Sequence, residues 1–117
     1  MGILKSEGYH IHFYCESNEL AVGETVREKL VKELPEVSGA GSVRSTAIGP
    51  HPLPMFEAWF SSEHLDLVVR WAMANRQGLR AMIHPLSGDD LIDHREHALW
   101  IGTPLPLNLS IFTAGAK

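Results

Sequence analysis

Apolar and polar residues alternate from position 8 to 15, with Tyr9, Ile11 and Phe13 set against His10, His12 and Tyr14. A period of two belongs to a strand with one buried face. Val22, Val26, Leu30 and Leu34 then recur at four-residue steps. This is one face of a helix that Ser17 or Asn18 caps and Pro35 ends. Residues 36–42 contain Gly39 and Gly41 and read as a loop. Residues 43–48 and 55–60 read as the two strands of a hairpin around Gly49-Pro50-His51-Pro52. Leu65, Val68, Val69, Ala72 and Met73 have the spacing of an amphipathic helix, capped by Ser61 or Ser62 and stopped at Gly78. Residues 79–84 form a fourth strand. Residues 85–97 are polar and long for a connection. Residues 98–101 suit one more short strand, and an extended, proline-marked tail follows.

The order strand, helix, strand, strand, helix, strand is the split βαβ pattern. The fold class is therefore α+β, a ferredoxin-like sandwich with two helices on one face of a four-stranded antiparallel sheet. The chain, 1–117, reads as a single domain. The other sheet face is left open for a site or a dimer contact. His10 and His12 share a strand face because they are two apart. With Ile11 and Phe13 facing the helices, both histidines project from the open face. On the fourth strand Leu79, Ala81 and Ile83 are the apolar set, so Arg80, Met82 and His84 share that face. The first and third strands are expected to be a parallel central pair, with the fourth antiparallel beside the first. His10, His12, His51 and His84 then converge at one end of the sheet, and His94 on the long loop folds back over it.

Composition narrows the class. Apolar residues make up 44% and charged residues 21%, which is globular and not disordered. A net charge of −4 provides no basic face for nucleic acid. No apolar run reaches membrane-spanning length, and the N-terminal residues lack a leader pattern. The single cysteine, Cys15, is expected to be a buried thiol and suits a reducing, cytoplasmic compartment. Seven histidines are many for 117 residues. Imidazole is the commonest metal ligand and suits Fe(II), Zn(II), Cu(II) and Ni(II). Pro50 and Pro52 restrict the backbone around His51, and Pro85 does so after His84. His64 and His97 read as surface residues, and Asp93 as a carboxylate that orients His94. Trp59, Trp71 and Trp100 read as core or dimer contacts. A serine hydrolase elbow and the glycine patterns of nucleotide sites are absent from the sequence.

Several segments, in order, resemble the DOPA 4,5-dioxygenase family of bacteria and fungi. They are Tyr9-His10-Ile11-His12-Phe13-Tyr14, Gly49-Pro50-His51-Pro52-Leu53-Pro54-Met55-Phe56, Asn75-Arg76-Gln77-Gly78-Leu79, Ile83-His84-Pro85, Asp93-His94 and Ala98-Leu99-Trp100-Ile101-Gly102. The resemblance implies a ferredoxin-like fold and extradiol cleavage of DOPA or a related catechol by O₂. It implies Fe(II) as the cofactor, or Zn(II) in the protein as purified. His12, His51 and His84 are assigned as metal ligands, with His10 or His94 as the acid–base group. Glu57, Glu16 or Asp93 is the option if one ligand is a carboxylate. Glu57 is expected farther along the third strand than the histidines. Arg80 is the expected partner of a substrate carboxylate, with Arg44 and Arg95 as further options. The expected partners are a catechol, O₂ and a second copy of the chain in a homodimer. The alternative is a non-catalytic metal- or small-ligand-binding homodimer of the same fold. A Zn(II) hydrolase is weaker, because no His-Glu-x-x-His is present.

Overall fold

The computed structural model describes residues 2–114. Strand β1 (Gly8–Tyr14) leads through a 3₁₀ turn to helix α1 (Leu20–Glu33). Next come β2 (Gly39–Ala40), β3 (Met55–Ser61), helix α2 (Leu65–Asn75) and β4 (Arg80–Pro85). A short helix α3 (Asp90–Asp93), strand β5 (Leu99–Ile101) and helix α4 (Ser110–Ala114) complete the chain. The sheet order is β2-β3-β1-β4-β5, and every pairing is antiparallel. This is the ferredoxin-like α+β arrangement with a fifth strand at one edge.

The core lies between the sheet and the two long helices. Ile11 and Phe13 of β1 and Cys15 just after it meet Val26 and Leu30 of α1, Val68 and Ala72 of α2, and Phe56, Phe60, Ala81 and Ile83 of the neighbouring strands. At the end of α2 the buried residue is Trp71, and Met73 is exposed. Trp71 shares the helix face of Val68 and Ala72, and its indole N–H donates to Glu33 of α1 at 2.9 Å, tying the two helices together. The tail does not leave the second sheet face fully open. Tyr14, Met55 and Met82 on that face are covered by Trp100, Leu105 and Leu107, and the Asn108 N–H donates to the Pro50 carbonyl. The part of that face that carries the histidines and Trp59 lies outside this cover.

Two expectations are corrected. First, β1 and β3 run antiparallel. A helical crossover makes β1 and β2 parallel, and the reversal into β3 then sets β3 against both. Second, residues 43–48 do not form the hairpin strand; only Arg44 makes a bridge, to Met55. The strand is Gly39–Ala40, opposite Trp59 and Ala58. A side chain at position 39 would come within 2.8 Å of the Trp59 ring. The glycine is there for close approach to an indole and not for a turn. Arg27 of α1 donates to the carbonyls of Gly41 and Ala40, which holds this short edge strand in place.

Gly23 in α1 has a similar origin. A Cβ there would sit 2.6 Å from Cys15 Sγ. Alanine gains up to about 1 kcal/mol of helix propensity, and forcing a methyl into a filled core costs about 1–3 kcal/mol. Gly23→Ala should therefore lower the urea midpoint, and Cys15→Ala in the same chain should restore it. A Gly23→Ala protein more stable than the parent would refute this packing argument.

Candidate metal and active site

The registers of β1 bring the site together. His10 lies opposite His84 on β4, and His12 lies opposite Glu57 on β3. All three histidine-bearing faces of the sequence argument therefore point into one place. His51 arrives from the other end of the sheet, on the loop before β3, and its ring centroid is 4.3 Å from that of His12. His94, at the end of α3, closes the cavity from above, 4.1 Å from the His84 ring. Phe112 packs against His94. The cavity is about 210 Å³ and is lined by His10, His12, His51, His84, His94, Glu57, Pro50, Leu86, Asp90 and Phe112.

Hydrogen bonds set which nitrogens face inward. His84 Nδ1–H donates to the Pro85 carbonyl at 2.9 Å, and His94 Nδ1–H donates to the Asp90 carbonyl at 2.7 Å. Both therefore keep a bare Nε2. His10 Nδ1 lies 3.2 Å from Glu57 Oε2. His12 Nε2 lies 3.1 Å from His84 Nε2 and 3.8 Å from the same Glu57 oxygen. His12 Nδ1 is buried and has no partner among the described residues. Buried polar atoms are nearly always paired, so an orphaned imidazole nitrogen marks a place for a ligand or an ion. The Tyr14 hydroxyl is hydrogen-bonded to His51 Nδ1 at 2.7 Å.

Two sets of three histidines hold their nitrogens within 4.8 Å of one another: His10, His12 and His84, and His12, His51 and His94. The expected trio of His12, His51 and His84 is not one of these sets. Two nitrogens bound to one ion at about 2.1 Å lie no more than about 4 Å apart, and the 3.1 Å pair of His12 and His84 meets that. The donor set fits a transition metal. Nitrogen ligands dominate, and the far sides of His84 and His94 are held by carbonyls and that of His10 by a carboxylate, as metal-bound histidines usually are.

The remaining predicted residues fall as follows. Glu57 is not farther along the sheet; antiparallel pairing places it directly beside His12. Arg80 shares the histidines' face but sits opposite Tyr14 at the other end of β4, and it pairs with Glu16. It does not line the histidine cavity. Arg44 is in the bridge to Met55, and Arg95 pairs with Glu96. Asp93 does not orient His94. It is 1% exposed and accepts from the Ser87 N–H and hydroxyl, with His97 Nδ1 at 3.5 Å. It pins the loop that carries His94. Tyr14 and Phe112 were not anticipated, although the alternation in β1 already places Tyr14 on the histidine face.

The Dopa 4,5-dioxygenase family model matches residues 9–111. The chain belongs to this family. A DOPA 4,5-dioxygenase of Amanita muscaria is 31% identical over 110 aligned positions, which cover 87% of this chain and 48% of that protein. An uncharacterised 21.2 kDa protein of Botryotinia fuckeliana is 33% identical, over 94% of this chain and 64% of its own length. The chain thus spans about half to two thirds of these curated relatives. A crystal structure from Nostoc punctiforme, of a protein proposed to be a dioxygenase, superposes with a TM-score of 0.87 at 37% identity, covering 93% of both chains. No helix among the described residues is long and apolar enough to cross a membrane.

Within this family member His12, His51 and His84 are held uncharged. Burial lowers the His51 pKa to about 4, with the neighbouring His94 adding to the shift. Burial likewise lowers His84 to about 4, against the opposing bond to the Pro85 carbonyl. His12 lies well below the usual histidine range, through burial first and then through His51 and His84. In the unfolded chain each titrates near 6.5. Between pH 6.5 and about 4 the unfolded state thus binds protons that the folded state refuses, and stability falls as pH drops. Glu57 is lowered chiefly by its bond from His10, and it acts only below the carboxylate range. Metal-free protein should show a urea midpoint that is level above pH 7 and declines steadily from pH 6.5 to 5. A level midpoint down to pH 5 would mean that these histidines titrate as free ones do.

Proposed function

We propose that the protein is a metal-dependent extradiol dioxygenase acting on a catechol with O₂. The observation that carries this is the convergence of five imidazoles, two of them with Nε2 atoms 3.1 Å apart, in a cavity that a small aromatic ring can enter. The metal is assigned to His10, His12 and His84. All three stand on paired strands of one sheet, so their positions are stiff. His10 replaces His51 in the trio assigned from the sequence, because the β1–β4 register sets His10 and not His51 beside His84. A ferrous ion held there supplies what imidazoles lack, chelation of both catechol oxygens and activation of O₂.

The residues around that ion divide the proton work. Burial raises the pKa of Tyr14, so its phenol keeps its proton and donates to His51 Nδ1. His51 then carries its own proton on Nε2 and presents a donor to the cavity. His94 presents the opposite, a bare Nε2, because its Nδ1–H is committed to Asp90. His94 takes a catechol proton, and His51 holds a developing negative charge on oxygen. Phe112 and the 98–109 tail keep bulk water from this end of the sheet. The ring opens at the bond next to the diol, both atoms of O₂ enter the product, and no external reductant is needed.

The test is anaerobic loading with Fe(II), addition of DOPA and of simpler catechols, and admission of air. One O₂ should be consumed per catechol opened, and a chelator should stop it. His84→Ala should lose stoichiometric metal. Glu57→Gln should bind metal about 10–100-fold more weakly. His94→Gln should keep the metal and slow turnover by about 10²–10⁴-fold. Stoichiometric metal with no O₂ consumption on any catechol would make the protein a binding module. Full metal content in His84→Ala would remove His84 from the ligand set.

A further inference from the structure

A second cavity, of about 490 Å³, adjoins the histidine cavity. The two share His10, Glu57 and Leu86. A ring seated among the histidines would send its side chain into the larger space. One wall of that space is the indole of Trp59, left 37% exposed. The ring is not loose there. It lies against Gly39, where any side chain would come within 2.8 Å of it. The β3 alternation puts Glu57 on the same face, two residues away, and Glu7 closes the far side. An indole flanked by carboxylates is a seat for an organic cation.

The charges around both cavities point the same way. Among the described residues, their linings include Glu7, Glu57 and Asp90 and no lysine or arginine. Arg80 is committed to Glu16 and Arg95 to Glu96. Lys5 lines the next groove along, beyond Glu7. A side-chain carboxylate would therefore face carboxylates and find no cation, whereas an ammonium would find an aromatic face and two negative charges.

We propose that this protein selects catechols whose side chain carries an ammonium and no free carboxylate, and that Trp59, Glu57 and Glu7 hold that ammonium. The proposal rests on the histidine cavity being where the catechol ring binds, so its test has a reading that needs neither metal nor turnover.

Tyramine, tyrosine and 4-hydroxyphenylacetate share one phenol and run from a cationic through a zwitterionic to an anionic side chain. Calorimetric titration of the chain as purified should rank them in that order, with about tenfold between the first and last. Raising the salt concentration should narrow the gap. Trp59→Leu should weaken tyramine about tenfold without altering 4-hydroxyphenylacetate binding, and the exposed Glu7→Gln should reduce the preference about threefold by weakening tyramine and tightening 4-hydroxyphenylacetate. Oxygen uptake by the Fe(II)-loaded protein is then compared on dopamine, DOPA and 3,4-dihydroxyphenylacetate, with kcat/KM expected to fall in that order. Equal affinity for the three phenols, preference for the carboxylate, or no binding of any would overturn the proposal. The phenol order without oxygen uptake on any catechol would uphold the cavity's preference and remove the dioxygenase reading, so the two fail separately.

Discussion

Three buried imidazoles, His12, His51 and His84, can share one small space only while they stay uncharged, because each proton would be both desolvated and set against its neighbours. The rest of the architecture depends on meeting this condition in one particular alignment. His12 is at the centre, 2% exposed, with His84 across β4, Glu57 across β3 and His51 above. The alignment is set by the opposite face of the same strand. Ile11 and Phe13 lie between and beyond the two histidines and are fully buried under the helices. A slip of one residue in β1 would drive both histidines into the helix-side core and lift Ile11 into the cavity. The hydrophobic core therefore holds the site in register, and the cost of a wrong register is the loss of that core.

The protonation pattern has a local origin as well. His84 gives its Nδ1 proton to the next residue's carbonyl, and His94 gives its own to a carbonyl four residues back. Both bonds are built into the backbone geometry of one short segment. That segment is in turn fixed by Asp93, whose carboxylate gathers Ser87 and approaches His97. Burial tends to raise the Asp93 pKa, but the bonds from Ser87 outweigh it and keep the group ionised. A charged, buried pin under the 85–97 loop explains how a long polar connection can carry a histidine to a defined place.

Much of this was legible in the sequence. The period of two exposed the face shared by His10, His12 and Tyr14, and the matching alternation in β4 placed His84 with them. Both helices followed from their apolar stripes, except that Trp71 and not Met73 faces inward, because the buried stripe of α2 runs through Val68, Trp71 and Ala72. The parts that were misread depend on pairing across the sheet. Gly39 looked like loop chemistry until the indole opposite it was known. Glu57 seemed remote until β3 proved antiparallel to β1. Arg80 shares a face with His84, but four residues along a strand is roughly 13 Å, too far for one small cavity. A face is a local property of sequence; position along that face is not.

The match to the family begins at Tyr9 and ends at residue 111. All five histidines, Glu57 and Tyr14 fall inside it, so the chemistry of the cavity belongs to the segment shared with the longer fungal proteins. Glu7 and Phe112 lie just outside, at the two ends of the matched stretch. One closes the side-chain cavity and the other packs on His94. His10, His12, Glu57 and His84 stand on paired strands within the matched segment, and His51 and His94 reach them from its loops. The two cavities are therefore bordered both by the segment that the family model matches and by a residue on either side of it.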